Sequence, residues 1–294
     1  MELSALSALG VLDPDEAATF EAHLAEGCPT CEAEVRAFRA VAGYLGYAVP
    51  PERPRPEVRD RLLAYVSAGN AVTVIGASEG EWGRGEIEGV MVKILFRDPA
   101  TRRITALGRI EPGVRYPSHR HADTEELYML EGDLTVEGQV LRGGDYCAAP
   151  AGTVHGVSVT RDGCTYLVFA SEQDQIITEP ATGAQKTGFR FVYASEGAWQ
   201  PGSVPGVSHR PIFSDPARGT STHVVRVEAG ARLPRQRYVT AGQLYMLRGD
   251  CHLMGHVLQA GDYLHAPVGT AHDLMSTEGG CEFLLISSRA EALD

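Results

Sequence analysis

Long apolar runs are missing from this 294-residue sequence. No stretch reaches the roughly 18 apolar residues that a membrane-spanning helix needs. The opening segment MELSALSALGVLDPDE has neither the basic flank nor the apolar core of a secretory signal. The expected location is therefore the cytoplasm, with no membrane partner. Basic residues are in deficit: 26 Lys and Arg stand against 38 Asp and Glu, a net charge of −12. An acidic surface is repelled by a phosphate backbone, which argues against direct contact with nucleic acid. A basic protein partner would instead be steered toward it. Cysteine is sparse, at six residues, and in the cytoplasm these are expected as thiols or metal ligands rather than disulfides. What remains is an ordinary globular composition, 44% hydrophobic, in a chain long enough for two or three domains.

The chain repeats itself. ASEGEW at Ala77–Trp82 returns as ASEGAW at Ala194–Trp199, a shift of 117 residues. At that same shift LYMLEGD (Leu127–Asp133) returns as LYMLRGD (Leu244–Asp250), GGDYCAAPAGTVH (Gly143–His155) as AGDYLHAPVGTAH (Ala260–His272), and Cys164 as Cys281, with no gap. Two copies of one domain are expected, at residues 72–172 and 189–289. Each reads as short strands such as RITALGRI, EELYMLEG and CTYLVFA, punctuated by Gly and Asp, the pattern of a β-sandwich or barrel. Residues 1–68 are different. Asp13 is placed to cap a helix that opens on Pro14, with Glu16 at the capping-box position. A second helix is expected from about Pro29 to Leu45, the prolines of Val49–Glu57 break helicity, and a short helix EVRDRLLAYV follows. The fold class is thus mainly β, a tandem pair of β domains behind a small all-α domain.

In the first copy, His119 and His121 are two residues apart and so face one side of a strand. Glu125 adds an oxygen donor after a short turn, and His155 supplies a third imidazole. This donor set suits a divalent zinc, iron, manganese, copper or nickel ion, which the residues alone do not separate; zinc is the working expectation, with iron, manganese or nickel as the alternatives. Glu126 is a fallback ligand if the turn is one residue longer, and Arg120 and Tyr128 are candidates to line a pocket.

These residues resemble the cupin family. The pattern G-x5-H-x-H-x3-E-x6-G is met by Gly113, His119, His121, Glu125 and Gly132, and G-x5-P-x-G-x2-H by Gly144, Pro150, Gly152 and His155. The resemblance implies a jelly-roll barrel with His119, His121, Glu125 and His155 around one metal. In the second copy, Gln236, Tyr238 and Gly242 stand where His119, His121 and Glu125 would be, and only His272 survives, opposite His155. A structural half, or a pocket for an organic small molecule, is expected there. His265, His252 and His256 are not expected to replace the lost ligands.

In the helical segment, HLAEGCPTC brings His23, Cys28 and Cys31 close along the chain, and a C-x2-C turn lets two thiolates share a soft cation with an imidazole. A redox pair or two inert thiols are the alternatives. Residues 3–68 resemble the zinc-binding anti-sigma domain. Joined to a cupin, they resemble the ChrR-type anti-sigma factors, which implies an extracytoplasmic-function sigma factor as partner and the metal-binding cupin as a stress sensor. Two features depart from that family: four residues separate His23 from Cys28, and no histidine precedes His23. Apolar packing of Leu12, Phe20, Leu24, Val35, Phe38 and Leu45 would hold the domain without zinc. The competing class is a metal-dependent cupin enzyme such as a dioxygenase, with a small molecule in the barrel.

Overall fold

The computed structural model describes residues 2–25, 27–45, 72–178, 187–215, 219–272, 274–287 and 290–292. The chain forms two compact units, Met1–Tyr65 and Val66–Asp294. The proline-rich Val49–Glu57 segment and the expected helix after it lie outside the described residues.

The first unit contains α1 (Glu2–Leu9), α2 (Pro14–Ala25) and α3 (Pro29–Leu45). Asp13 caps α2 as expected: its Oδ1 accepts from the amides of Asp15 and Glu16, at 3.1 and 2.9 Å. Phe20 and Val35 are buried, and Leu12, Leu24 and Phe38 are half-buried; the side chain of Leu45 lies outside the described residues. The Ser4 hydroxyl donates to Glu34 at 2.9 Å and ties α1 to α3. Among the described residues of this unit, the large apolar side chains of Leu3, Leu9, Val11 and Val41 are exposed.

The second unit is mainly β, a tandem of two jelly-roll barrels. Each copy is built on one long strand, Glu125–Val136 in the first and Gly242–Leu253 in the second. The first half of Glu125–Val136 pairs with Tyr146–Ala149 and the second half with Gln139–Arg142. The bend falls at Gly132, where φ is +80° and an added Cβ would lie 1.9 Å from the Gly163 carbonyl oxygen. Only glycine permits that approach. Gly249 repeats it against Gly280.

The copies are not independent barrels. Thr73–Ile75, at the start of the first copy, pairs with Tyr263–Ala266 of the second, while Arg190–Val192, at the start of the second copy, pairs with Tyr146–Ala149 of the first. The swap is reciprocal and in the same register: Thr73 faces His265, and Arg190 faces Ala148. Val72 and Val74 pack into the second barrel's core, and Phe189, Phe191 and Tyr193 into the first's. A third apolar cluster lies between the barrels and draws on both, with Leu95, Tyr146 and Leu167 from the first and Ile212, Tyr245 and Leu284 from the second. The repeated ASEG loops fasten the exchange. The Ala77 amide donates to Asp262 and the Ala194 amide to Asp145, both at 2.7 Å.

Candidate metal centre

The cupin-motif side chains meet at the mouth of the first barrel. His119–Arg120 is the middle strand of a small three-stranded sheet, between Val154–His155 and Gln175–Ile176. His119 lies directly across from His155 in that ladder. The two rings are 4.1 Å apart, and both are within about 5 Å of His121, at 4.9 Å from His119 and 5.2 Å from His155. Glu125 opens the long strand opposite Ala149. Its carboxylate lies 3.9 Å from Nε2 of His119 and 3.7 Å from Nε2 of His121. The candidate ligand atoms of His119, His121, Glu125 and His155 all lie within 4.8 Å of one another.

Each imidazole is oriented through its other nitrogen, as metal-binding histidines are. Nδ1 of His119 faces the Pro117 carbonyl at 3.2 Å, Nδ1 of His121 the Thr153 hydroxyl at 2.9 Å, and Nδ1 of His155 the Gly156 carbonyl at 2.6 Å. Nε2 of His121 is buried with no hydrogen-bond partner. An orphaned buried nitrogen is costly, and a cation shared with its neighbours would relieve it. Burial alone would raise the Glu125 pKa, but its pairing with His119 and the other nearby imidazoles bring it down to about 2. Burial, then the charge of His119, pushes His155 down to about 4, and burial also lowers His121. For His119, burial opposes charging but Glu125 overrides it, so its pKa is raised. The donor set is therefore a carboxylate held ionised and three imidazoles, of which His121 and His155 are held toward the neutral, metal-binding form. It is compatible with a divalent metal. Bound there, such an ion would act as a Lewis acid toward an incoming oxygen or nitrogen donor.

Three expected residues lie elsewhere. Glu126 does not turn toward the metal cluster. Adjacent strand residues point to opposite faces, and Glu126 instead accepts hydrogen bonds from Tyr146 at 2.7 Å and from Thr222 of the second copy at 2.5 Å. Tyr128 joins the apolar cluster between the barrels, and Arg120 is exposed. Neither lines the cavity behind the cluster, which has a volume of about 290 Å³. Beside His119, Glu125 and His155, its polar lining includes residues that no motif marks, Glu86, Tyr116, Tyr166 and Asp174 among them. Strand alternation was the available signal for Tyr166, since Cys164, Tyr166, Val168 and Ala170 share one face of CTYLVFA. Burial raises Tyr116 to about 12 and Asp174 to about 6.

In the second copy the equivalent space is filled. A Cβ at Gly242 would lie 2.4 Å from the Tyr238 ring, so the residue replacing His121 occupies the room vacated by Glu125. The Tyr238 ring lies 5.7 Å from that of His272. His252 and His256 are exposed on a hairpin. His265 is buried, stacked 3.8 Å from Phe96 of the first copy. His209 and His223, which the motifs do not mark, stand where Val92 and Ala106 line the first cavity, with their Nδ1 atoms 3.3 Å apart.

In the helical unit, His23, Cys28 and Cys31 also place their ligand atoms within 4.8 Å of one another. Gly27, with a φ of +83°, turns the chain after α2. Cys28 then sits at the start of α3. Its thiol is lowered first by the Cys31 amide, then by the Cys31 and His23 side chains, while Cys31 is raised by Cys28.

No helix among the described residues is long and apolar enough to cross a membrane. No curated protein sequence matches the chain. Among solved structures, it is similar to a candidate dioxygenase from Nostoc punctiforme (13% identity, TM-score 0.66, covering 76% of this chain and 87% of that one). It is also similar to the oxalate decarboxylases of Lactobacillus farciminis (14%, 0.56, 75% and 88%) and Bacillus subtilis (16%, 0.53, 83% and 86%). At these identities the likeness is one of fold. A family model described as the ChrR cupin-like domain matches residues 70–173 and again 189–290. Those two segments span more than half of the sequence, and the chain belongs to the ChrR cupin-like domain family.

Proposed function

We propose that this protein is an anti-sigma factor. Its helical unit would sequester an extracytoplasmic-function sigma factor, and its first barrel would bind one divalent metal and sense stress or a ligand. The observation that carries this reading is the pairing, on one chain, of a ChrR cupin-like tandem with a helical unit bearing a His23–Cys28–Cys31 cluster. Such a cluster suits zinc, and oxidation of the thiolates would release it. Exposed Leu3, Leu9, Val11 and Val41 offer apolar contact to a partner. In the barrel, His119, His121, Glu125 and His155 would hold the metal, with Thr153, Pro117 and Gly156 fixing the rings.

The second reading is a metal-dependent enzyme acting on a small molecule, favoured by the cavity that opens on the cluster. One experiment separates the two. The full-length protein should capture a purified sigma factor and block its transcription in vitro. Leu9→Asp with Val41→Asp should abolish capture, and His119→Ala should leave capture intact while removing signal-dependent release. Turnover that is lost in His119→Ala but kept after deletion of residues 1–68, with no sigma factor retained, would establish the enzyme instead.

A further inference from the structure

The cavity of the first barrel carries information about its occupant that no motif holds. Its wall is largely apolar, with Val92, Ile104, Leu127 and Val168 among the lining residues, backed by Phe189 from the segment that leads the second copy. Its ionisable lining is of one sign apart from the histidines: Glu86 and Asp174 face the cavity together with Glu125, and no lysine or arginine lines it among the described residues. Two phenols complete the lining, and among the described residues neither the Tyr116 nor the Tyr166 hydroxyl has a hydrogen-bond partner in the protein. Tyr166 reaches this position because its cross-strand neighbour is Gly108, where an added Cβ would lie 2.3 Å from the tyrosine ring.

We infer that this cavity binds a neutral, mainly apolar small molecule with one hydroxyl or carbonyl oxygen, and rejects carboxylate anions. This deepens the proposed sensing role, since it names the class of molecule the barrel would read. With the metal bound, its two positive charges are offset by Glu125, Glu86 and Asp174, and no lysine or arginine lines the pocket among the described residues, so an anion meets no net positive charge and still loses its hydration. A cation would be driven against the metal ion. A neutral oxygen, by contrast, accepts from the Tyr116 and Tyr166 hydroxyls, while the remainder of the molecule removes apolar wall from water. At about 290 Å³ the cavity lies at the small end of ligand pockets, which suits a molecule the size of one substituted ring. The second barrel does not repeat the arrangement. Phe283 stands for Tyr166, Leu233 for Tyr116 and Val225 for Gly108, and Tyr238 and Phe283 lie in its packed core.

The test is calorimetric titration of the full-length, metal-loaded protein with benzyl alcohol and with benzoate, which share a ring and differ in charge, and with oxalate. Benzyl alcohol should bind, and benzoate and oxalate should bind at least roughly tenfold more weakly. Val168→Phe, which fills the cavity, should abolish the benzyl alcohol signal, and Tyr116→Phe, which keeps the shape and removes a donor, should weaken it roughly fivefold. At the exposed rim, Glu86→Arg should raise benzoate affinity without unfolding the barrel. Absence of benzyl alcohol binding, or benzoate or oxalate binding equally well, overturns the inference, as does unchanged binding in both Val168→Phe and Tyr116→Phe. No sigma factor is present in the titration, so loss of the anti-sigma reading and loss of this one are seen separately. Repeating the titration after chelation shows whether the metal contributes to the affinity.

Discussion

Glu125 and Glu126 are neighbours with the same side chain in opposite situations. Glu125 faces three imidazoles and is held ionised, down to about 2. Glu126 lies between the two copies, where burial raises its pKa and Tyr146 and Thr222 donate to it. The second copy has Gln243 at the equivalent position, accepting from Tyr263 at 2.6 Å and from Thr105 of the first copy at 2.5 Å. The protein therefore already contains the neutral version of the Glu126 contact. Glu125→Gln should remove the one equivalent of metal held by the first barrel, while Glu126→Gln should keep it with stability unchanged or slightly higher. Elemental analysis of the two variants decides it, and the reverse result would remove Glu125 from the ligand set. A second residue-scale expectation concerns the filled site. Gly242→Ala places a methyl group against the Tyr238 ring, and such overpacking should cost about 1–3 kcal/mol in urea unfolding. A neutral substitution there would mean that the Tyr238 ring does not fill the site.

At the scale of elements, the strand exchange makes each barrel depend on the leading strand of the other copy. Phe191 belongs to the second copy in sequence but packs into the first barrel's core. Phe191→Ala should therefore destabilise the first barrel by about 1–3 kcal/mol, less than for a fully buried phenylalanine. Hydrogen exchange should locate the loss at amides of Glu125–Val136 and Tyr146–Ala149. Faster exchange confined to Gly242–Leu253 would contradict the exchanged pairing. The same connectivity completes an edge in each sheet, since each leading strand covers the Tyr263–Ala266 or Tyr146–Ala149 edge of the other copy.

Over the whole molecule, the buried His265 links stability to pH. Burial lowers its pKa from 6.5 to about 4, with the Asp98 charge opposing, and its ring is stacked on Phe96. The unfolded chain protonates near 6.5 and the folded one near 4, so His265 is neutral and without effect at higher pH. Stability is lost as pH falls from about 6.5 to about 4, by up to roughly 3 kcal/mol. His265→Gln, which does not titrate, should show a shallower loss over that window in urea melts, while matching the wild-type pH trend above 7. Parallel curves for the two proteins would rule out this assignment. Because the cluster between the barrels draws on both copies, the melt of the β unit should be a single transition.

The sequence by itself determined the duplication, the mainly β class, the helix cap at Asp13 and the candidate ligands of both clusters. These rest on local physics. A repeat is visible as identity at a fixed shift, a cap depends on residues within one turn, and a His-x-His pair shares a strand face wherever that strand lies. It also showed that the second copy had lost its donors, because a ligand is a residue type at a fixed position. Only the tertiary structure decided which glutamate faces the metal cluster, that Tyr238 fills the space over Gly242, and that the leading strands change places. It also decided that Glu86, Tyr116, Tyr166 and Asp174 line one cavity. Those outcomes depend on contacts between residues far apart in the chain, where swapped and unswapped pairings satisfy the same hydrophobic pattern and packing between the barrels selects one of them.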